Sequence, residues 1–284
     1  MTSIDHLNIP ISDGTNLHML NAGSGPPLLL LPGWSQTASM FRHQLFGLSD
    51  RFNVFALDWR GHGESEKVNY GYRISRFAKD LHEVLNWIDI PGINILGHSM
   101  GNAVIWCYLD IFGADLINKI IIAEQPPSLV SQPGWSEEEV SNAGCVFNCT
   151  ELIETCDSIA ENNSDQFRAD MLRDMFSSAI SEEDLNFIIN ENLLLPRSAA
   201  ASLLRNTSME DWRDVIPRIN VPTLICAGTE SIVPLSSQRW IQAQIPGCNL
   251  ELFKGSEGGS HFMFWEAASK FNQVVADFLD QPTE

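Results

Sequence analysis

At 284 residues the chain is long for one simple domain and short for two independent ones, so a single α/β domain carrying an insertion fits its length. A hydrophobic content of 44% provides for a sizeable core. The formal net charge of −19 leaves no basic surplus to neutralise phosphates, which argues against nucleic acid and anionic membranes as partners.

In chain order, residues 16–22 read as an early strand that ends in Gly23-Ser24-Gly25-Pro26-Pro27. Leu28 to Leu31 form a fully apolar run, and Pro32-Gly33 turns the chain. Val54 to Leu57 read as a second buried strand, stopped by Asp58-Trp59-Arg60-Gly61-His62-Gly63. Apolar residues at Ile74, Phe77, Leu81, Val84, Leu85 and Ile88 predict an amphipathic helix over 74–88. A strand at Ile93 to Leu96, a helix after Ser99 and a strand at Ile117 to Ala123 follow. Such alternation predicts a mostly parallel sheet with helices on both faces.

The character changes after Pro127. Residues 128–210 are polar, acidic and helix-like, which predicts a helical cap inserted between core segments 1–127 and 211–284. The sheet pattern resumes at Val221 to Gly228, with a helix near 236–245, a strand at 249–253 and a last helix over 267–280. Trp87 and Trp106 fall on helices as packing residues. The six cysteines, Cys107, Cys145, Cys149, Cys156, Cys226 and Cys248, are scattered, and no His/Cys cluster has metal spacing. Neither a metal nor a disulfide is expected, and a reducing compartment is. The first residues lack a basic stretch followed by an apolar one, and no segment approaches membrane-spanning length, so a cytoplasmic protein without a membrane partner is expected.

The most informative segment is Gly97-His98-Ser99-Met100-Gly101, a G-x-S-x-G sequence between a strand and a helix. That context pushes the serine hydroxyl out of the sheet, and the glycines admit close backbone approach. The following helix N-terminus favours developing negative charge. A serine nucleophile needs a base, and the base needs an orienting acid. Of seven histidines, His261 is the candidate base, since it follows the flexible stretch Gly255 to Ser260 after the last strand. His98 adjoins the serine on a sharp turn and points elsewhere; His62 sits in a structural turn; His6, His18, His43 and His82 precede the elbow in segments unsuited to a base.

Five pieces, Leu31-Pro32-Gly33-Trp34, Asp58-Trp59-Arg60-Gly61-His62-Gly63-Glu64-Ser65, the elbow itself, Val221-Pro222-Thr223-Leu224 and Gly259-Ser260-His261-Phe262, occur in an order and spacing that resemble the α/β-hydrolase superfamily over nearly the whole chain. The resemblance implies Ser99 as nucleophile, His261 as base, and an oxyanion hole from the backbone amides of Trp34 and Met100. Asp58 and Arg60 would brace the sheet. Most members place an aspartate where this chain has Ser231, in Gly228-Thr229-Glu230-Ser231. Two replacements are open: Glu124, directly after the strand that follows the nucleophile helix, and Glu230. Glu124 is preferred, because a carboxylate at a strand end is costly to bury without a partner, and fungal lactonases and cofactor-free dioxygenases carry their acid there.

Trp34, Trp135, Phe147, Phe262, Met263, Phe264 and Trp265 lie in or near loops that would face an apolar substrate pocket, with Trp34, Trp135 and Phe262 its expected lining. The expected activity is hydrolysis of a small or medium carboxylic ester or lactone, a small-molecule substrate, with no cofactor and no metal. The alternatives are a cofactor-free haloperoxidase or perhydrolase and a cofactor-free dioxygenase of the quinolone-ring-cleaving type. The dioxygenases carry a histidine where this chain has Gln36. A non-catalytic receptor on the same fold is disfavoured by the intact serine and histidine, and a dehalogenase would need an aspartate at position 99.

Overall fold

A computed structural model describes residues 3–161 and 165–282. The elements run β1 (Asp5–Pro10), β2 (Asn16–Ala22), β3 (Pro27–Leu31), α1 (Arg42–Leu48), β4 (Asn53–Leu57), α2 (Ile74–Ile88), β5 (Ile93–His98), α3 (Met100–Phe112) and β6 (Ile117–Ala123). Five helices follow: α4 (Glu137–Ala143), α5 (Cys149–Ala160), α6 (Asp165–Arg173), α7 (Glu182–Asn192) and α8 (Arg197–Ser208). Then come β7 (Thr223–Gly228), α9 (Leu235–Gln244), β8 (Asn249–Phe253), α10 (Met263–Glu266) and α11 (Ala268–Leu279).

The eight strands form one sheet in the order β1-β2-β4-β3-β5-β6-β7-β8. β1 and β2 join antiparallel and β2 meets β4 antiparallel; all later pairings are parallel. Strand alternation divides the interior into two cores. Leu29, Leu31, Ile95, Ile120, Ile122 and Ile225 face α2, α3 and α9, while Leu28, Leu30, Val54, Ala56, Ile121 and Cys226 face α1 and α11. Central strands buried on both faces read as continuous apolar runs, which is why β3 to β7 are plain in the sequence.

Three expectations change. An edge strand, β1, precedes the first expected one; only Ile9 of it is fully buried, so it carries no apolar run. The last helix begins as a separate turn, α10, before α11. Trp87 is 42% exposed rather than packed, while Trp106 is fully buried as expected. All six cysteines are free. No helix among the described residues is long and apolar enough to cross a membrane.

The turn after β4 carries a buried ionic brace. The Arg60 guanidinium, closed to solvent, donates from Nε to Asp80 Oδ2 (2.6 Å) and from Nη2 to Asp80 Oδ1 (2.8 Å) and Asp13 Oδ2 (3.0 Å). Asp80 belongs to α2, so the pair locks this turn to the helix behind the sheet. Removing one partner of a buried ion pair leaves the other charge uncompensated. Asp80→Ala is expected to lower unfolding stability by about 3–5 kcal/mol in urea denaturation; a loss below about 1 kcal/mol, the range of an exposed pair, would contradict that role.

Candidate active site

Ser99 links β5 to α3 at φ 49° and ψ −125°, a conformation disfavoured for a residue with a Cβ. Surrounding contacts hold it there. The Ser99 amide donates to the Ala123 carbonyl at the end of β6 (3.0 Å), and buried Asn102 donates from Nδ2 to the carbonyls of Gly97 (2.9 Å) and Ala123 (3.3 Å). Gly101 lets α3 start against β3: a Cβ there would lie 2.4 Å from the Leu31 carbonyl oxygen. Such strain accumulates where a side chain must be presented rather than packed.

Glu124 follows β6 as Ser99 follows β5, also at positive φ (44°). Its carboxylate is completely buried and fully engaged. Oε1 accepts from the Gly228 amide (2.5 Å), and Oε2 accepts from Ser231 Oγ (2.5 Å) and from His261 Nδ1 (2.9 Å). Glu230 is exposed, lies against Gly255 and donates its amide to Gly259, away from the imidazole. The fold therefore brings Glu124, not Glu230, to His261. Ser231, in the position where the usual aspartate is missing, instead supplies a hydroxyl to the glutamate from the neighbouring strand end.

The loop bearing His261 is pinned on both sides. The His261 amide donates to the Met175 carbonyl (3.2 Å), and Ser260 Oγ donates to Glu266. His98 points beneath this loop: Nε2 donates to the His261 carbonyl (2.8 Å), and Nδ1 lies 2.9 Å from Gln36 Oε1. Gln36 Oε1 accepts from the Gly33 amide (2.8 Å), which fixes this side chain within the turn after β3. Burial pushes the His98 ring well below its ordinary pKa.

Ser99 and His261 open onto a cavity of about 400 Å³, also lined by Trp34, Met100, Gln125, Leu129, Phe147, Met171, Met175 and Leu204. No hydrogen bond joins Ser99 to His261 among the described residues, as is common before substrate binds. Met100 contributes the first amide of α3, one of the N–H groups a helix cannot satisfy internally. Trp34, across the cavity, is oriented by its indole Nε1 donating to the Ala200 carbonyl (2.8 Å). Of the expected lining, Trp34 is in place, and Phe147 lines it too. Trp135 does not line the cavity: its ring lies under the Arg213 guanidinium, 4.0 Å from the centroid. Phe262 does not either: it is buried in the core, stacked on Phe176 at 4.3 Å between centroids. Met263, Phe264 and Trp265 are likewise core.

The family model described as alpha/beta hydrolase fold matches residues 26–174, more than half of the chain. The chain belongs to the alpha/beta hydrolase family. It is 27% identical over 271 residues to a putative non-heme chloroperoxidase from Synechocystis sp., covering 93% of this chain and 95% of that protein. Among solved structures it superposes on a bromoperoxidase from Bacillus anthracis with a TM-score of 0.88 at 24% identity, covering 98% and 100% of the two chains. It also superposes on an esterase from Exiguobacterium antarcticum with a TM-score of 0.83 at 26% identity, covering 96% and 99%. At such identities the hydrolase fold is common to these proteins, while the chemistry must be argued from the site.

Electrostatics set this hydrolase site apart from a solvated ion pair. Burial raises Glu124, to about 8, against the opposing hydrogen bonds from Ser231 and Gly228. The same burial disfavours the imidazolium of His261. The form competent to accept a proton has Glu124 ionised and one proton, on Nδ1, between the two groups. Its formation is a property of the pair. Because burial opposes the net negative charge of that form, activity is expected to rise with pH through a limb above the ordinary histidine value of about 6.5. Ser231→Ala removes a donor to the carboxylate, worth about a tenfold factor, and should move the limb further upward. A kcat/KM profile with its limb at or below about 6.5, or unmoved in Ser231→Ala, would contradict this account.

Proposed function

We propose that this chain is a serine hydrolase that cleaves an uncharged carboxylic ester or lactone of small to medium size, without a cofactor. The observation that carries the reading is the hydrogen-bonded pair Glu124–His261, facing Ser99 across one largely apolar cavity. A cavity of about 400 Å³ is in the range of small-ligand sites. Asp174 adds a carboxylate to its wall, which disfavours anionic substrates. The similarity to an esterase over nearly the whole length supports the same class.

In this mechanism Ser99 Oγ attacks the substrate carbonyl carbon while its proton passes to His261 Nε2. Glu124 holds the Nδ1 proton and stabilises the imidazolium. The oxyanion forms between the amides of Met100 and Trp34, two donors whose worth comes from being fixed in advance. Collapse of the tetrahedral intermediate expels the alcohol, which takes the proton from Nε2. Water then attacks the acyl-enzyme, with His261 as base again, and releases the acid and free Ser99. The helices between β6 and β7 act as a cap that shapes the acyl and alcohol sites.

A second reading is favoured by the similarity to a putative non-heme chloroperoxidase. Hydrogen peroxide in place of water would take the same acyl group and leave as a peracid. The oxygenase reading finds less support, since the Gln36 amide oxygen is already taken up by the Gly33 amide.

The test is a panel of nitrophenyl esters and lactones, with and without peroxide. Ser99→Ala and Glu124→Gln should each lower kcat at least about a thousand-fold, while Glu230→Ala leaves it unchanged. Turnover retained in Ser99→Ala, or none on any ester or lactone by the folded wild type, would overturn the proposal; oxygen uptake with hydroxyquinolones would then point to the oxygenase.

A further inference from the structure

We infer that His6, His18 and Glu64 form a binding site for a divalent transition-metal cation of the zinc type, separate from the Ser99 cavity. Sequence spacing gives no sign of it, since the three residues lie far apart along the chain. The fold brings them together. In the antiparallel pairing of β1 with β2, Asn8 faces His18 and His6 faces Leu20, so the two histidines are diagonal neighbours on one face. Glu64 arrives from the turn after β4.

The ligand atoms converge on one point. His6 Nδ1 is 2.9 Å from His18 Nε2, and Glu64 Oε2 is 3.6 Å from the first and 3.7 Å from the second. A tetrahedral ion with bonds of about 2.0–2.1 Å separates its ligands by about 3.3 Å. The three observed separations average about 3.4 Å, close to that edge, with the fourth position left to water. Among the described residues this is the one such convergence of three histidine, cysteine or acidic groups.

The supporting contacts are those of a metal site rather than of a surface cluster. His18 is buried, and its Nδ1 donates to Asp58 Oδ2 (2.8 Å), which fixes the tautomer with the Nε2 lone pair directed at the other two ligands. A carboxylate behind a ligating histidine is the usual orienting partner. The same Asp58 Oδ2 accepts the Glu64 amide (3.0 Å), so one buried aspartate positions both residues. Gly63 makes that possible: a Cβ there would fall 2.1 Å from Asp58 Oδ1. Without a cation the His18 Nε2 lone pair is met by a hydrogen on His6 Nδ1; a metal ion would replace that hydrogen and draw in the Glu64 carboxylate as well. A bound metal would fasten the edge strand β1 to the turn after β4.

The test titrates the full chain, treated with chelator and desalted, with Zn²⁺ by calorimetry and with Co²⁺ by visible absorption. One saturable equivalent is expected, with the d–d bands of four-coordinate cobalt, no thiolate charge-transfer band and a Tm that rises with metal. His6→Ala and Glu64→Gln change exposed side chains and leave the fold intact; each should weaken binding about tenfold or more. Absence of a saturable site in the wild type would show that a proton suffices. Binding that survives in both variants, or a thiolate band, would place the metal elsewhere; each of these outcomes overturns the inference.

Discussion

The site depends on one carboxylate that water cannot reach. Glu124 is fully buried at the end of β6, so every lone pair it presents must find a donor inside the protein or its charge is unaffordable. Three donors meet it, from the end of β7, from the loop beyond it and from the histidine loop near the C-terminus. Parts of the chain remote in sequence are thereby aligned around one group. The position of the imidazole follows from satisfying that group, and the presentation of Ser99 follows from the adjacent strand ending at the same level of the sheet.

Close approach is the second condition. Both Ser99 and Glu124 leave their strands at positive φ, and neither conformation would persist on its own. Asn102 bridges them by bonding the carbonyls of Gly97 and Ala123, each the strand residue just before or near a turn. Gly101 allows α3 to start hard against β3, which sets the first helical amide beside the serine. The strain at the two strand ends is thus held by neighbouring backbone rather than by the residues that carry it.

The strands of the central sheet were legible because burial on both faces makes them plain apolar runs, and the elbow was legible because its residue types are dictated by local backbone geometry. The placing of Glu124, rather than Glu230, beside His261 was also within reach, since a carboxylate at a strand end is costly to bury without a partner. What escaped depends on neighbours distant in sequence. β1 is an edge strand with one fully buried residue, so it has no hydrophobic signature. Ser231 acquires meaning only once β7 lies beside β6. Trp135 and Phe262 are aromatic residues near loops, and whether such a ring meets a cavity, an arginine or the core is settled by tertiary packing alone.

The Ser99–Glu124–His261 cluster and the walls around it come from different parts of the chain. Ser99, Glu124 and His261 stand on or just beyond the carboxyl ends of the sheet, whereas Leu129, Phe147, Thr155, Met171 and Leu204 come from between β6 and β7. Tethers between the parts include the Met175 carbonyl on the His261 amide, the Ala200 carbonyl on the Trp34 indole, the Ser177 amide on Glu266 and the Ser35 hydroxyl on the Asn192 carbonyl. Inherited variation in the walls can therefore accumulate without moving the imidazole, except near such tethers. There a change of substrate shape is felt directly as a change in the placing of the imidazole or of the Trp34 turn, and drift in the two parts ceases to be independent.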